Sequence, residues 1–290
     1  MILRKTYIIP LFLTLCLMVV LSACSPLNSE NPLSLVQVVQ NSINAMKNLK
    51  SSHVDIQATN KVEMNGASAS TTSGPSNFSM NVTGSGDQAL PDQEKLDLTL
   101  NQDTKLTEIL QGDKVYVQNA QGQWYVFNKS EFTNSVGNYF SGENFNPTDL
   151  LGLLLHASIT DHGDQDLNGQ KLRHITANLD KEALRELLSS NPQLRKTFGQ
   201  QNIDTVINNA KSFLATVDVW IDNSQYYLHR TQLKLNMEGN VSQGSKATPE
   251  DVKVDLNTIM DLSKFNEPVT ITPPSKAIPT DDPSVILGNQ

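Results

Sequence analysis

Two cysteines constrain this chain more than any other feature, and both lie in its first 24 residues. Cys16 sits in an apolar run from Ile8 to Leu21 that follows Arg4-Lys5 and is broken only by Pro10 and Thr14. Cys24 ends the small-residue stretch Leu21-Ser22-Ala23-Cys24. A basic start, a mid-length apolar run and small residues before a cut point make up a secretory signal, which is removed. The remaining chain, roughly 265 residues, then has Cys24 as its one thiol and is long enough for one large or two small domains. A disulfide framework, a thiolate metal site and a second reactive thiol are excluded together. The fold has to be held by an apolar core.

The residues around Cys24 look like a bacterial lipobox. That reading makes Cys24 a diacylated N-terminus on the outer face of the cytoplasmic membrane. The apolar run falls short of the ~20 residues a membrane-crossing helix needs, so cleavage is favoured over an uncleaved anchor helix. Each buried CH₂ contributes ~0.8 kcal/mol, so two or three acyl chains on Cys24 would hold the protein on a bilayer. Residues 24–32 read as the lipidated tether behind a signal of residues 1–23.

Without Arg4 and Lys5 the exported part has 20 Lys and Arg against 30 Asp and Glu, a formal charge of −10. Such a surface does not suit nucleic acid or an anionic membrane face. Aromatic residues make up 6% of the chain, which argues against an extensive carbohydrate-stacking surface.

Hydrophobic periodicity supplies the elements. Leu35, Val38, Val39, Ile43, Met46 and Leu49 fall at helical spacing. The period then becomes two, in 53–58, 78–82 and 96–100, with a Ser/Thr/Gly-rich loop at 66–76. Strand candidates at 106–110, 114–118 and 123–127 are joined by connections short enough to force antiparallel pairing. A helical insert carries Phe132, Val136, Tyr139 and Phe140. Asn146-Pro147-Thr148-Asp149 reads as a cap opening the all-apolar helix Leu150–Leu155. Strands at 158–164 and 171–177 flank the turn signal Asn168-Gly169. A helix striped by Leu184, Leu187 and Leu188 follows, then a strand with Phe213, Ala215, Val217, Val219 and Ile221 on one face. Further strands cover 226–237 and 252–256. This order is α+β, with a large antiparallel sheet whose buried face helices must cover. Residues 33–272 read as one domain and 273–290 as a Pro-rich flexible tail.

Chemistry-bearing patterns are sparse. Asp161-His162-Gly163-Asp164-Gln165-Asp166 is the most metal-like run, but it lacks the length and closing Glu of a calcium loop. Its plain reading is a solvated strand end, and no metal or cofactor is expected. His53, His156, His174 and His229 are scattered, and no zinc-helix, nucleophile-elbow or phosphate-loop motif occurs. The chain is not expected to be an enzyme.

Several stretches carry a family resemblance: 46–54 at the end of the first helix, Gly112–Val117 with Trp124-Tyr125, Asn146–Leu151 leading to Leu167–Gln170, Val219–Asp222, and Leu262–Ile271. In this order they resemble the LppX/LprAFG lipoproteins of the wider LolA/LolB-like half-barrel group. The resemblance implies a curved antiparallel sheet with helices on its concave face and an apolar cavity that holds acyl chains of lipids or glycolipids in transit. The cavity candidates are then Phe140, Leu150, Leu151, Leu154, Leu184, Leu187, Leu188, Val217 and Val219, each of which equally fits plain packing. The implied partners are the membrane, a lipid or other apolar ligand and an envelope protein, around a monomer. A lipid-tethered interaction or sensor module with a filled core is the alternative.

Overall fold

A computed structural model describes residues 34–65, 77–130, 132, 147–190, 204–205, 207–241, 250–282 and 284–287. The signal, Cys24, the tether and the 66–76 loop lie outside them. Among the described residues no helix is long and apolar enough to cross a membrane.

Helix α1 (Leu35–Lys47) opens with a capping box. The Gln37 N–H donates to the Ser34 hydroxyl, and the Ser34 N–H donates to Gln37 Oε1 at 2.9 Å. The chain then runs through β1 (Ser51–Asn65), β2 (Asn77–Ala89), β3 (Gln93–Leu100), β4 (Thr104–Gln111), β5 (Lys114–Gln118) and β6 (Trp124–Asn128). Helix α2 (Pro147–Leu154) leads to β7 (Ser158–Leu167) and β8 (Gln170–Asn178). Helix α3 (Lys181–Ser190) precedes β9 (Ser212–Ile221), β10 (Leu228–Val241) and β11 (Glu250–Ser263). A short β12 (Ile278–Pro279) and α4 (Ser284–Leu287) complete the described residues.

The strands form one 12-stranded sheet in the order β12-β6-β5-β4-β3-β2-β1-β11-β10-β9-β8-β7, which does not close into a barrel. All pairs are antiparallel except β12 with β6. Two meanders, β1–β6 and β7–β11, join where β1 pairs with β11, from His53↔Ser263 to Asn65↔Asp251. The expected antiparallel sheet is therefore present and open.

Strand alternation separates two faces. One inner row runs Ile175–Val219–Thr231–Met260–Ile56 across five strands, apolar but for Thr231. An outer row spans ten strands as His174–Trp220–Arg230–Asp261–Asp55–Ser85–Asp97–Thr107–Gln118–Trp124. Asp55 and Asp261 face each other in that row, a repulsive arrangement in itself. Arg230 offsets it with two bonds to Asp261, at 2.5 and 2.6 Å.

Strand β2 runs on through Gly84 and Gly86, further than the alternation at 78–82 implies. A Cβ on Gly86 would stand 1.8 Å from the Lys95 carbonyl oxygen, so only glycine allows β3 to approach this closely.

The tail differs from expectation. Ile278-Pro279 pairs with β6, the Thr280 N–H donates to the Val126 carbonyl at 3.1 Å, and Ile286 is 1% exposed within the core. A buried isoleucine and this short strand-edge pairing outweigh the local disorder tendency of a Pro-rich segment. The strap also covers the β6 edge, which otherwise would be open to pairing. The other edge, β7, is blunted differently. It carries Asp161, His162, Asp164 and Asp166, and its register shifts between Asp161 and Asp164, where Gly163 has φ +69°.

Candidate functional site

The predicted cavity residues come from three elements. Helix α2 buries Leu150, Leu151, Leu153 and Leu154, and it packs against α1 and β9. The Asp180 side chain caps α3 by accepting from the Ala183 N–H at 2.9 Å, which turns Leu184 and Leu187 inward. Strand alternation brings Val217 and Val219 to the same side. These seven candidates lie in one continuous apolar cluster with Val38, Val39 and Ile43 of α1. Phe140 and the Leu188 side chain lie outside the described residues.

Two surface hollows stand out among the described residues, and none of the seven lines either. One, of about 460 Å³, is bordered by Asp97, Thr99, Lys105, Gln118 and Asn119 beside the β3–β4 and β5–β6 turns. The other, of about 550 Å³, lies along α3 and is bordered by His156, Asp180, Glu182, Arg185, Glu186 and Ser189. Both rims mix polar and apolar groups, with Leu98, Leu106 and Ala120 in the first and Ala183 in the second.

Polar side chains buried on the core side escaped the sequence reading, Glu108, Ser42 and Thr231 among them. Glu108 of β4 is 4% exposed, between Leu106 and Leu110 along the strand and opposite Leu96 and Val117. Ser42 lies fully buried on the inward stripe of α1, and Thr231 is 3% exposed on β10. Neither hydroxyl finds a hydrogen-bond partner among the described residues. The signal was present in each case: these residues occupy apolar positions of a clean helical or alternating pattern.

The Asp161–Asp166 run does not converge. Asp161 accepts from Arg173 at 2.8 Å and from the Gly163 N–H at 3.0 Å. The bonds from Arg173 come first in holding the Asp161 carboxyl below its ordinary range. His162 bonds to Thr176, and Asp164 accepts from Asn223. Among the described residues no group of three or more His, Cys, Asp or Glu side chains is placed to hold a metal. The histidines instead join the outer face. His162 stacks on His174 and His174 on Trp220, with ring centroids 4.5 and 4.2 Å apart. Arg230 lies over the far side of Trp220, 5.9 Å from its centroid.

Residues 34–281 match the profile of a family described as a family of unknown function, DUF6612. The chain belongs to that family. No curated protein matches it. Among solved structures, this DUF6612 chain is similar to lipoprotein LppX of Mycobacterium tuberculosis, with 18% identity and a TM-score of 0.47 over 82% of this chain and 97% of that one. LprF from Mycobacterium bovis follows at 15% identity and a TM-score of 0.41, over 83% and 97%. A putative outer membrane lipoprotein-sorting protein domain from Vibrio parahaemolyticus has 11% identity and a TM-score of 0.26, over 81% and 93%. All three TM-scores are below 0.5, so function has to be read from the chain's own residues.

Proposed function

We propose that this protein is a lipid-anchored carrier on the outer face of the cytoplasmic membrane, taking acyl chains of lipids or glycolipids between its helices and its sheet for transfer. The observation that carries the reading is the continuity of the apolar interior. The inner face of the sheet and the buried faces of α1, α2 and α3 form one cluster, uninterrupted by a metal-binding group among the described residues. An acyl chain entering such an interior gains ~25 cal/mol for each Å² of apolar surface taken from water, and binding needs no cofactor. On this reading the helices lie on the concave side of a curved sheet, residues 33–272 are one monomeric domain, and the chain is not an enzyme.

The exported chain from Leu27, made without Cys24, is expected to copurify with lipid and to take up offered lipid. Native mass spectrometry that finds only lipid-free protein, with no uptake, would overturn the carrier reading. The anchor is tested separately. Cys24→Ala should abolish labelling of the protein by a fatty-acid analogue and release it from membranes; labelling that persists would refute the lipobox.

The second reading is a tethered interaction or sensor module with a filled core. It is favoured by the deep burial of all seven described candidates away from both surface hollows. Lipid-free protein that binds an envelope component would support it.

A further inference from the structure

Two hydroxyls stand out in the interior because everything around them is apolar. Thr231 occupies one position of the inner row, with Val219 opposite on β9 and Met260 opposite on β11. Along β10 the next inward residue is Leu233. Ser42 lies between Val39 and Ile43 on the buried stripe of α1. Both are more than nine-tenths buried, and neither Oγ bonds to any described group. Hydroxyls buried without a partner each cost about 1–3 kcal/mol, and valine or alanine would avoid that cost at either position.

Helix α1 reaches the strand that carries Thr231. Met46, one helical turn after Ser42, has its sulfur 3.5 Å from the Leu228 backbone nitrogen. Leu228 is three residues before Thr231 on the same strand. Thr258, also buried, stands diagonal to Thr231, opposite Leu233. This part of the interior thus offers neutral hydrogen-bond donors and no charge. Among the described residues the one buried carboxylate of the core side, Glu108, is five strands away on β4.

We propose that the inner wall built by α1 and β10 receives the carbonyl groups of a diacyl lipid, with the Ser42 and Thr231 hydroxyls each donating to one of them. This deepens the carrier reading and rests on it. An ester or amide carbonyl is a neutral acceptor set in hydrocarbon, which suits neutral donors set in an apolar wall. A charged head group would be desolvated here without a counter-charge and is excluded from this spot. The hydrocarbon beside one carbonyl meets Val219 and Met260, and beside the other Val39 and Ile43. Helix α1 must lift from the sheet to admit the lipid.

The test compares the full-length chain, wild type and with Ser42→Ala, Thr231→Val or both. Each is offered a diacyl phospholipid with ester linkages and its ether-linked counterpart, which lacks the carbonyls. The wild type should prefer the ester lipid about tenfold, the worth of one to two buried hydrogen bonds. The double variant should bind the two lipids equally, while its lipid-free form melts no lower than wild type, because unsatisfied hydroxyls have been removed. Equal binding of both lipids by the wild type would overturn this inference and leave the carrier reading standing. An ester preference retained by the double variant, with a lower melting temperature, would also overturn it and assign the hydroxyls to internal water. Uptake of neither lipid by the wild type would remove the carrier reading and this inference with it.

Discussion

Asp222 accepts at the β9–β10 turn from the Ser224 N–H and hydroxyl, the Gln225 N–H and the Tyr227 N–H, at 2.6–2.9 Å. Burial alone would raise its carboxyl, but hydrogen bonding from His229, Gln225 and Ser224 outweighs that and holds it far below the usual carboxylate range. A depressed folded value means that the stabilisation is complete above the unfolded value of about 3.9 and is lost as pH falls through the folded one. Stability should therefore be level near neutral pH and decline in acid, and Asp161 beside Arg173 adds to the decline in the same direction. Asp222→Ala should cost about 2 kcal/mol at neutral pH and flatten the acid decline in urea titrations from pH 7 to 2.5. An unchanged acid slope would contradict the assignment. Gly86 and Gly84 give a second residue-scale contrast. A Cβ at Gly86 meets backbone, whereas at Gly84 it meets Leu98 Cδ2 at 2.6 Å, the end of a side chain that can turn. Gly86→Ala should cost about 2–3 kcal/mol and Gly84→Ala distinctly less, read from urea midpoints; equal costs would refute the contrast.

Elements with strong periodicity were legible in the sequence. The inward set Ala215, Val217, Val219 and Ile221 made β9 plain, and the turn at Asn168-Gly169, with φ +55° and +82°, made the β7–β8 hairpin plain. The second half of β2 was not, because Thr83-Gly84-Ser85-Gly86 has almost no apolar alternation and gains its place from the close approach of β3. The tail was not legible either. Its order comes from one buried residue, Ile286, and from Asn119 donating to the Val285 carbonyl at 3.2 Å across 166 residues of sequence. Of the candidate site, the apolar stripes could be read in advance, while Ser42, Thr231 and Glu108 were hidden because a polar residue on an apolar stripe looks like noise until its burial is known. Removal of the strap gives a prediction at this scale. Ile286→Ala should cost about 2–4 kcal/mol. Truncation before Ile278 should expose the β6 edge and produce self-association on raising the concentration in light scattering; a truncated chain as stable and monomeric as wild type would show that the strap does not matter.

Across the whole molecule, one apolar cluster runs through both meanders, so they should unfold as a unit. Trp124 lies in the β1–β6 meander and Trp220 in the β7–β11 meander, so each reports on its own half. Single-tryptophan variants made with Trp124→Phe and Trp220→Phe should show coincident urea midpoints; separated midpoints would divide the chain into two cooperative units and reject residues 33–272 as one domain. The central pairing of β1 with β11 carries a further consequence, in time rather than in space. His53 faces Ser263, so the seam of the sheet joins a strand at the beginning of the chain to one near its end. Such long-range pairing is slow, because the loop must close before any contact repays it. A nascent chain can build the β1–β6 meander early, yet that meander keeps a bare β1 edge until β11 has been synthesised. For a protein proposed to be threaded across a membrane, this delay is useful: the sheet cannot complete itself before translocation is nearly over, and the chain stays loose enough to pass.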